Sequence, residues 1–245
     1  EISDREIIKK EIKTLKIIND IKNKKDLIII PFKISKRKDY KEIYDNVLTS
    51  EECKTLRDII DTYPREEVKK ENEDGVMKHL WYVKNTFLNE PSPHTQNLLG
   101  VLNDCTDRYV KKHHQLKRTD APWKLDNGYC MQKYDPDMGY YVSHAENQGY
   151  GAISTRRMLV WMIYLNTITD GGGTYFENFD RSVNAVEGRC VIWPAYWTHF
   201  HNGIVSKTES KYITTGWYMY DRWETNPNRK ERGTMEEVLT NIINI

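Results

Sequence analysis

The sequence predicts an α+β fold that is mainly β, a sandwich or jelly-roll barrel buttressed by helices, and two observations carry that expectation. From Trp123 onward, short runs rich in Tyr, Val, Ile, Trp and Thr alternate with Gly, Asp, Asn and Pro. The runs are "YCMQKYD", "YYVSHAE", "RMLVWMIYLN", "GTYFENF", "SVNAVEG", "RCVIWPAY", "HFHNGIVS" and "KYITTGWYMY", and strands so spaced and punctuated build sandwiches and barrels. Before Trp123 the apolar residues recur at helical spacing instead.

Taken in order, "EISDREIIKKEIKTLKIINDIKNKK" places Ile7, Ile8, Ile12, Leu15, Ile18 and Ile21 at helical spacing, and "DLIIIPF" reads as a short strand closed by Pro31. Residues 1–40 carry 12 Lys/Arg against 7 Asp/Glu, which reads as a solvated face, with a partner-docking helix as the sharper alternative. "IYDNVLTSEECKTLRDIIDTY" is strand, cap and helix: Thr49 or Ser50 caps, Glu51 and Glu52 suit the first-turn dipole, and Leu56, Ile59 and Ile60 face a core. "SPHTQNLLGVLNDCTDRYVKKHH" is a second helix, with His113 and His114 placed to meet its C-terminal dipole. "GTMEEVLTNIINI" is a closing helix capped by Thr234.

With 37 Lys+Arg against 36 Asp+Glu in 245 residues, no global field points to nucleic acid or a membrane surface. No apolar run approaches a membrane span, so the chain reads as cytoplasmic, binding neither. Cys53, Cys105, Cys130 and Cys190 include no close pair, which leaves neither a disulfide framework nor a zinc site. The 7 Trp and 16 Tyr suit a walled pocket, in an enzyme or in a peptide or sugar binder.

The chemistry gathers around three residues. His144 and Glu146, two apart, share a face if "YYVSHAE" is a strand. With a histidine from a distant strand they make the 2-His-1-carboxylate set, which binds Fe(II) and leaves positions open. "YWTHFHNGIVSKTESKYITTGW" offers His199 or His201 as that second histidine, and both lie on one side if the segment is extended. It also places Lys211 inside an apolar strand.

The segments "YDPDMGYYVSHAE", "RMLVWMIYLN", "DGGGTYF", "GRCVIWPAYWTHFHNG" and "KYITTGWYMYD" stand in the order and spacing of one family. The chain resembles the prolyl 4-hydroxylase-like Fe(II)/2-oxoglutarate-dependent oxygenases across residues 43–221, most strongly from Tyr134 to Tyr220. The resemblance implies a double-stranded β-helix (jelly-roll, cupin-like) core over about 123–221, inside an oxygenase domain at 43–221. Residues 1–42 are then an N-terminal extension and 222–245 a C-terminal tail and helix.

It also implies roles. His144, Glu146 and His201 are the catalytic metal ligands for Fe(II), with Glu146 standing where the family nearly always has Asp. His201 is preferred to His199 because it precedes Lys211 by ten residues, the family's spacing. Lys211, Tyr164 and Tyr134 would hold the cosubstrate 2-oxoglutarate, and Arg157 and Trp217 would contact substrate. The implied activity is hydroxylation of an unactivated C–H by O2, with succinate and CO2 as coproducts and ascorbate as reductant. The expected substrate is a prolyl residue of a peptide or protein, selected by "ENEDGVMKHLWYVKN" and "AENQGYGAISTRR". A free amino acid as substrate, or a jelly-roll module that binds peptide or sugar without turnover, are the alternatives. Nothing in the sequence sets the oligomeric state.

Overall fold

The structure, a computed structural model, describes residues 39–62, 79–83, 92–119 and 121–221. The N-terminal helix and strand, the C-terminal helix and most of "ENEDGVMKHLWYVKN" lie outside the described residues.

Strand β4 (Arg157–Tyr164) shows how the chain builds two faces at once. Leu159, Trp161 and Ile163 join one apolar core, Val160, Met162 and Tyr164 join another, and all are buried. Side chains alternate along a strand, so a continuous apolar run fits only where both faces are covered.

Helices cover the first face. Helix α1 (Ser50–Thr62) turns Cys53, Leu56 and Ile60 inward, and α2 (Pro93–Lys112) turns Leu98, Leu102, Cys105 and Tyr109 the same way. Both starts use the devices in the sequence. The Thr49 backbone N–H donates to Glu52 Oε2 at 2.7 Å while the Glu52 N–H donates to Thr49 Oγ1 at 3.3 Å, a reciprocal capping box. Ser92 caps α2 by accepting from the Thr95 N–H, with Pro93 in the first turn. His113 caps the end of α2, and its ring nitrogen Nε2 also lies 2.8 Å from Glu42 Oε1, which joins the helix to strand β1 (Glu42–Tyr44).

The major sheet has the order β1-β7-β4-β9-β3-β2, with every neighbour antiparallel. Its other strands are β2 (His79–Val83), β3 (Trp123–Tyr134), β7 (Arg189–Pro194) and β9 (Lys211–Tyr220). A minor sheet runs β6-β5-β8, from β5 (Thr174–Phe176), β6 (Arg181–Val183) and β8 (His201–Gly203). Tyr134, Val160, Met162, Phe176, Trp193 and Ile213 fill the space between the sheets. The architecture is the expected double-stranded β-helix with helices on one face. Seven of the eight runs read as strands form strands; "YYVSHAE" keeps only a single bridge, at His144.

Gly188 opens β7 with φ +71, and a Cβ there would lie 2.5 Å from the Leu48 carbonyl oxygen. Its N–H donates to Tyr164 O and its carbonyl accepts from the Val47 N–H, each at 2.9 Å, so the turn ties the start of α1 to the sheet. Gly188→Ala combines left-handed strain with a backbone clash and is expected to cost about 2–4 kcal/mol, measured by urea unfolding. All four cysteines are buried and none is in a disulfide. Among the described residues no helix is long and apolar enough to cross a membrane.

Candidate active site and metal centre

The period-two rule that buries β4 also builds the cavity. On β3, Gln132 and Tyr134 point between the sheets, and on β9 so do Lys211, Ile213, Thr215 and Trp217. They line a cavity of about 530 Å³, inside the range of small-molecule sites. His144, Glu146 and His201 stand at the same cavity.

His144 and His201 meet through a bridge between the 140–146 segment and the minor sheet. The His144 N–H donates to His201 O at 3.0 Å, and the His201 N–H donates to His144 O at 2.9 Å. Beyond it the pairing breaks off, and the Asn147 N–H donates to Ala195 O at 2.8 Å. Glu146 therefore reaches the site from irregular backbone, not from the strand face expected for it.

Each imidazole is fixed by a backbone carbonyl. His144 Nδ1 lies 2.9 Å from Val142 O, and His201 Nδ1 lies 2.9 Å from His199 O. A carbonyl only accepts, so Nδ1 carries a proton in both rings, and the Nε2 lone pairs are the ones each neutral imidazole offers a metal. Those lone pairs face one oxygen: Glu146 Oε1 is 3.4 Å from His144 Nε2 and 3.8 Å from His201 Nε2.

Charge states agree with this geometry. Burial pushes the Glu146 carboxyl up, but the adjacent His144 and the charge of Arg157 outweigh it and hold the group at about 2. Burial, helped by His144, pushes His201 down to about 4. A carboxylate beside neutral imidazole is the donor set a divalent transition metal takes. One donor atom from each of the three residues lies within 4.8 Å of the others, and among the described residues they form the cluster able to hold a metal.

His199 is elsewhere. It ends a 3-10 turn, Trp197–His199, so it does not share the strand face of His201. Its Nε2 donates to Asp39 O at 2.5 Å and its ring packs on Phe179.

Lys211 lies deeper in the cavity, 8% exposed, with Gly173 O at 3.4 Å as its hydrogen-bond acceptor and the rings of Tyr134 and Tyr164 each 5.6 Å from Nζ. Among the described residues no acid is paired with it, and burial alone pushes its pKa down to about 8. A buried cation without a counter-charge is costly unless an anion joins it, so the pocket fits a carboxylate at this end.

Tyr134 lines the cavity and donates to Gln132 Oε1. Tyr164 is fully buried behind the wall, with its hydroxyl 2.7 Å from Thr174 Oγ1, and Thr174 takes the position at the surface of the cavity. Gln132, Thr174 and Tyr140, whose ring packs edge-on to His144, went unread in the sequence. Strand parity from Tyr134 was a signal for Gln132; Thr174 and Tyr140 had none beyond their place near glycine turns.

Arg157 and Trp217 line the cavity and both hold Glu146. Arg157 Nη1 donates to Glu146 Oε2 at 2.8 Å, Trp217 Nε1 donates to the same oxygen at 2.9 Å, and the guanidinium lies 3.7 Å from the Trp217 ring centroid.

Residues 129–219 match the model of the 2OG-Fe(II) oxygenase superfamily. The family resemblance read from the motifs is borne out by that match, which falls within 43–221. Solved structures agree in fold. The viral collagen prolyl hydroxylase of Paramecium Bursaria Chlorella virus-1, in its 2OG complex, superposes with a TM-score of 0.53 at 16% identity, covering 75% of this chain and 97% of that one. A Trichoplax adhaerens prolyl hydroxylase, in complex with a hypoxia inducible factor peptide fragment, gives 0.55 at 13%, covering 89% and 94%. The non-heme alpha ketoglutarate dependent carbocyclase SnoK from nogalamycin biosynthesis gives 0.54 at 15%, covering 75% and 81%. No curated protein sequence matches the chain significantly. Oxygenases of this family use Fe(II) and 2-oxoglutarate, and this site fits both: two oriented imidazoles and a carboxylate at one end, and at the other a buried cation with no acid paired to it among the described residues.

Proposed function

We propose that the chain hydroxylates an unactivated C–H of a prolyl residue in a peptide or protein, as a Fe(II)- and 2-oxoglutarate-dependent dioxygenase that releases succinate and CO2. The single observation that supports the reading best is the pairing, within one cavity, of the His144–Glu146–His201 donor set with the uncompensated charge of Lys211. Prolyl hydroxylases recur among the similar folds, one with a peptide bound, and that supports the choice of substrate. The oxygenase domain is placed at 43–221.

Bound iron with 2-oxoglutarate would supply an oxidant from O2 able to break a C–H bond. The protein's part is orientation and exclusion of water. His144, Glu146 and His201 would hold the iron through three donors and leave other positions on it open to ligands. Lys211 would pair with the far carboxylate of the cosubstrate, beside a polar wall made by Tyr134 and by Thr174, backed by Tyr164. The rings of Trp193, Phe176 and Tyr140 around the histidines keep that end of the cavity apolar.

Outside the cavity, the loop 145–156 exposes Tyr150 and Ile153, and a second hollow of about 460 Å³ shares Ser154, Arg157 and Trp217 with the first. A continuous hollow with apolar side chains at its rim suits an extended peptide better than a free amino acid. In assays with Fe(II), 2-oxoglutarate and air, a panel of proline-bearing peptides is expected to raise succinate release and to gain one oxygen atom at proline by mass spectrometry. Stimulation by free amino acids and not by peptides would overturn the peptide assignment. Peptide binding without succinate would favour a non-catalytic module.

A further inference from the structure

Glutamate carries one more rotatable bond than aspartate, so a Glu ligand must be restrained if its carboxylate is to stay on the metal side. Around Glu146 the restraint is built. Arg157 Nη1 donates to Glu146 Oε2 at 2.8 Å and also to the Glu146 backbone carbonyl at 3.2 Å, tying the side chain's end to its own main chain. Trp217 Nε1 donates to Oε2 from the other strand at 2.9 Å. With Oε2 engaged twice, Oε1 is the oxygen turned toward His144 and His201.

The holding groups are themselves held. The β4–β9 register shifts between Arg157 and Leu159, and Met158 and Leu159 both join the helix-side core. That irregularity re-aims Arg157, which strict alternation from Leu159 and Trp161 would send to the helix side, into the cavity. Asn147 Nδ2 donates to Arg157 O at 2.9 Å and to Thr155 O at 3.0 Å, and the guanidinium is stacked on Trp217.

We propose that Arg157 and Trp217 are positioning residues that clamp Glu146 Oε2 and so present Oε1 as the metal ligand, compensating for the extra methylene of glutamate. The assignment rests on the Fe(II) reading of the site. It gives Arg157 and Trp217 a role toward the metal beyond contact with substrate.

The test is Mn(II) titration of the purified apo-protein, with bound and free ion separated by electron paramagnetic resonance and folding checked by thermal unfolding. Both substitutions keep the net charge: Trp217→Phe removes only the N–H donor, and Arg157→Lys removes the fork and the stack. Each is expected to weaken Mn(II) binding by about tenfold or more, the size seen when a ligand loses an outer hydrogen bond, and to alter the spectrum of the bound ion. In a Glu146→Asp background the shorter side chain cannot serve clamp and metal together, so Trp217→Phe should change affinity by less than about threefold. Unchanged affinity and spectrum in the Trp217→Phe and Arg157→Lys proteins would overturn the proposal, as would an equal loss in both backgrounds. A parent protein that takes up no Mn(II) would remove the metal reading itself, and the clamp with it; that failure is distinct, because it appears before any substitution is made.

Discussion

Lys211→Met is expected to abolish 2-oxoglutarate binding while making the protein more stable. Burial lowers the Lys211 pKa from the ordinary 10.5 to about 8, so the folded state holds this proton less tightly than the unfolded chain does. Between those values the unfolded chain binds more protons, and stability rises with pH. The cost of the buried charge is fully present below pH 8, on the order of 3 kcal/mol, and is relieved as pH climbs toward 10.5. Methionine fills nearly the same space without the charge, so its melting temperature at pH 7 should exceed that of the parent. The same substitution removes the partner of the cosubstrate's distal carboxylate, and 2-oxoglutarate affinity should fall by at least ~100-fold with Mn(II) binding unchanged. In the parent, 2-oxoglutarate affinity should decline above pH 8, by up to ~tenfold per pH unit, as the lysine loses its proton. Calorimetry of 2-oxoglutarate binding across pH 7 to 10 reads the affinities, and thermal unfolding of the parent and Lys211→Met proteins reads the stabilities. Loss of Mn(II) binding together with 2-oxoglutarate would show that Lys211 supports the fold of the site and not the anion.

The second large effect separates two histidines that differ by two positions. His201→Ala deletes an Nε2 donor whose tautomer is fixed by His199 O, so metal affinity should fall by more than the roughly 10–100-fold typical of outer-shell changes, and succinate release should vanish. His199→Ala removes instead a hydrogen bond to Asp39 O and a ring contact with Phe179. It should cost about 1–3 kcal/mol of stability and leave most turnover intact. The reverse pattern in paired assays of succinate release and unfolding would exchange their roles.

What could be read from residues alone follows from periodicity. The segments "YCMQKYD" and "KYITTGWYMY" were legible as strands, with Lys211 standing out inside an apolar one, whereas the places of Tyr134 and Trp217 came from the family resemblance. The cap at Thr49 was legible because capping is local.

Where the backbone is irregular, spacing failed. "YYVSHAE" has the look of a strand but keeps only the His144–His201 bridge, since Asn147 turns to Ala195 immediately after. Parity treated His199 and His201 alike, whereas a 3-10 turn sends His199 to Asp39. Tyr164, which the resemblance assigns to the cosubstrate, meets the cavity through Thr174, on which its hydroxyl ends, and that relation depends on pairing between segments. The hold of Arg157 and Trp217 on Glu146 depends on the register of β4 against β9 and on the irregularity at Arg157, both properties of pairing between distant segments.

The central claim is that His144, Glu146 and His201 hold Fe(II) in a cavity where Lys211 receives 2-oxoglutarate. Anaerobic titration of the protein with Fe(II) and then 2-oxoglutarate tests it most directly. The account predicts a weak visible charge-transfer absorption that needs both additions, is lost in the His201→Ala and Lys211→Met proteins, and is followed by succinate once air is admitted. No absorption and no succinate from the parent protein, or the same absorption from the His201→Ala protein, would contradict it.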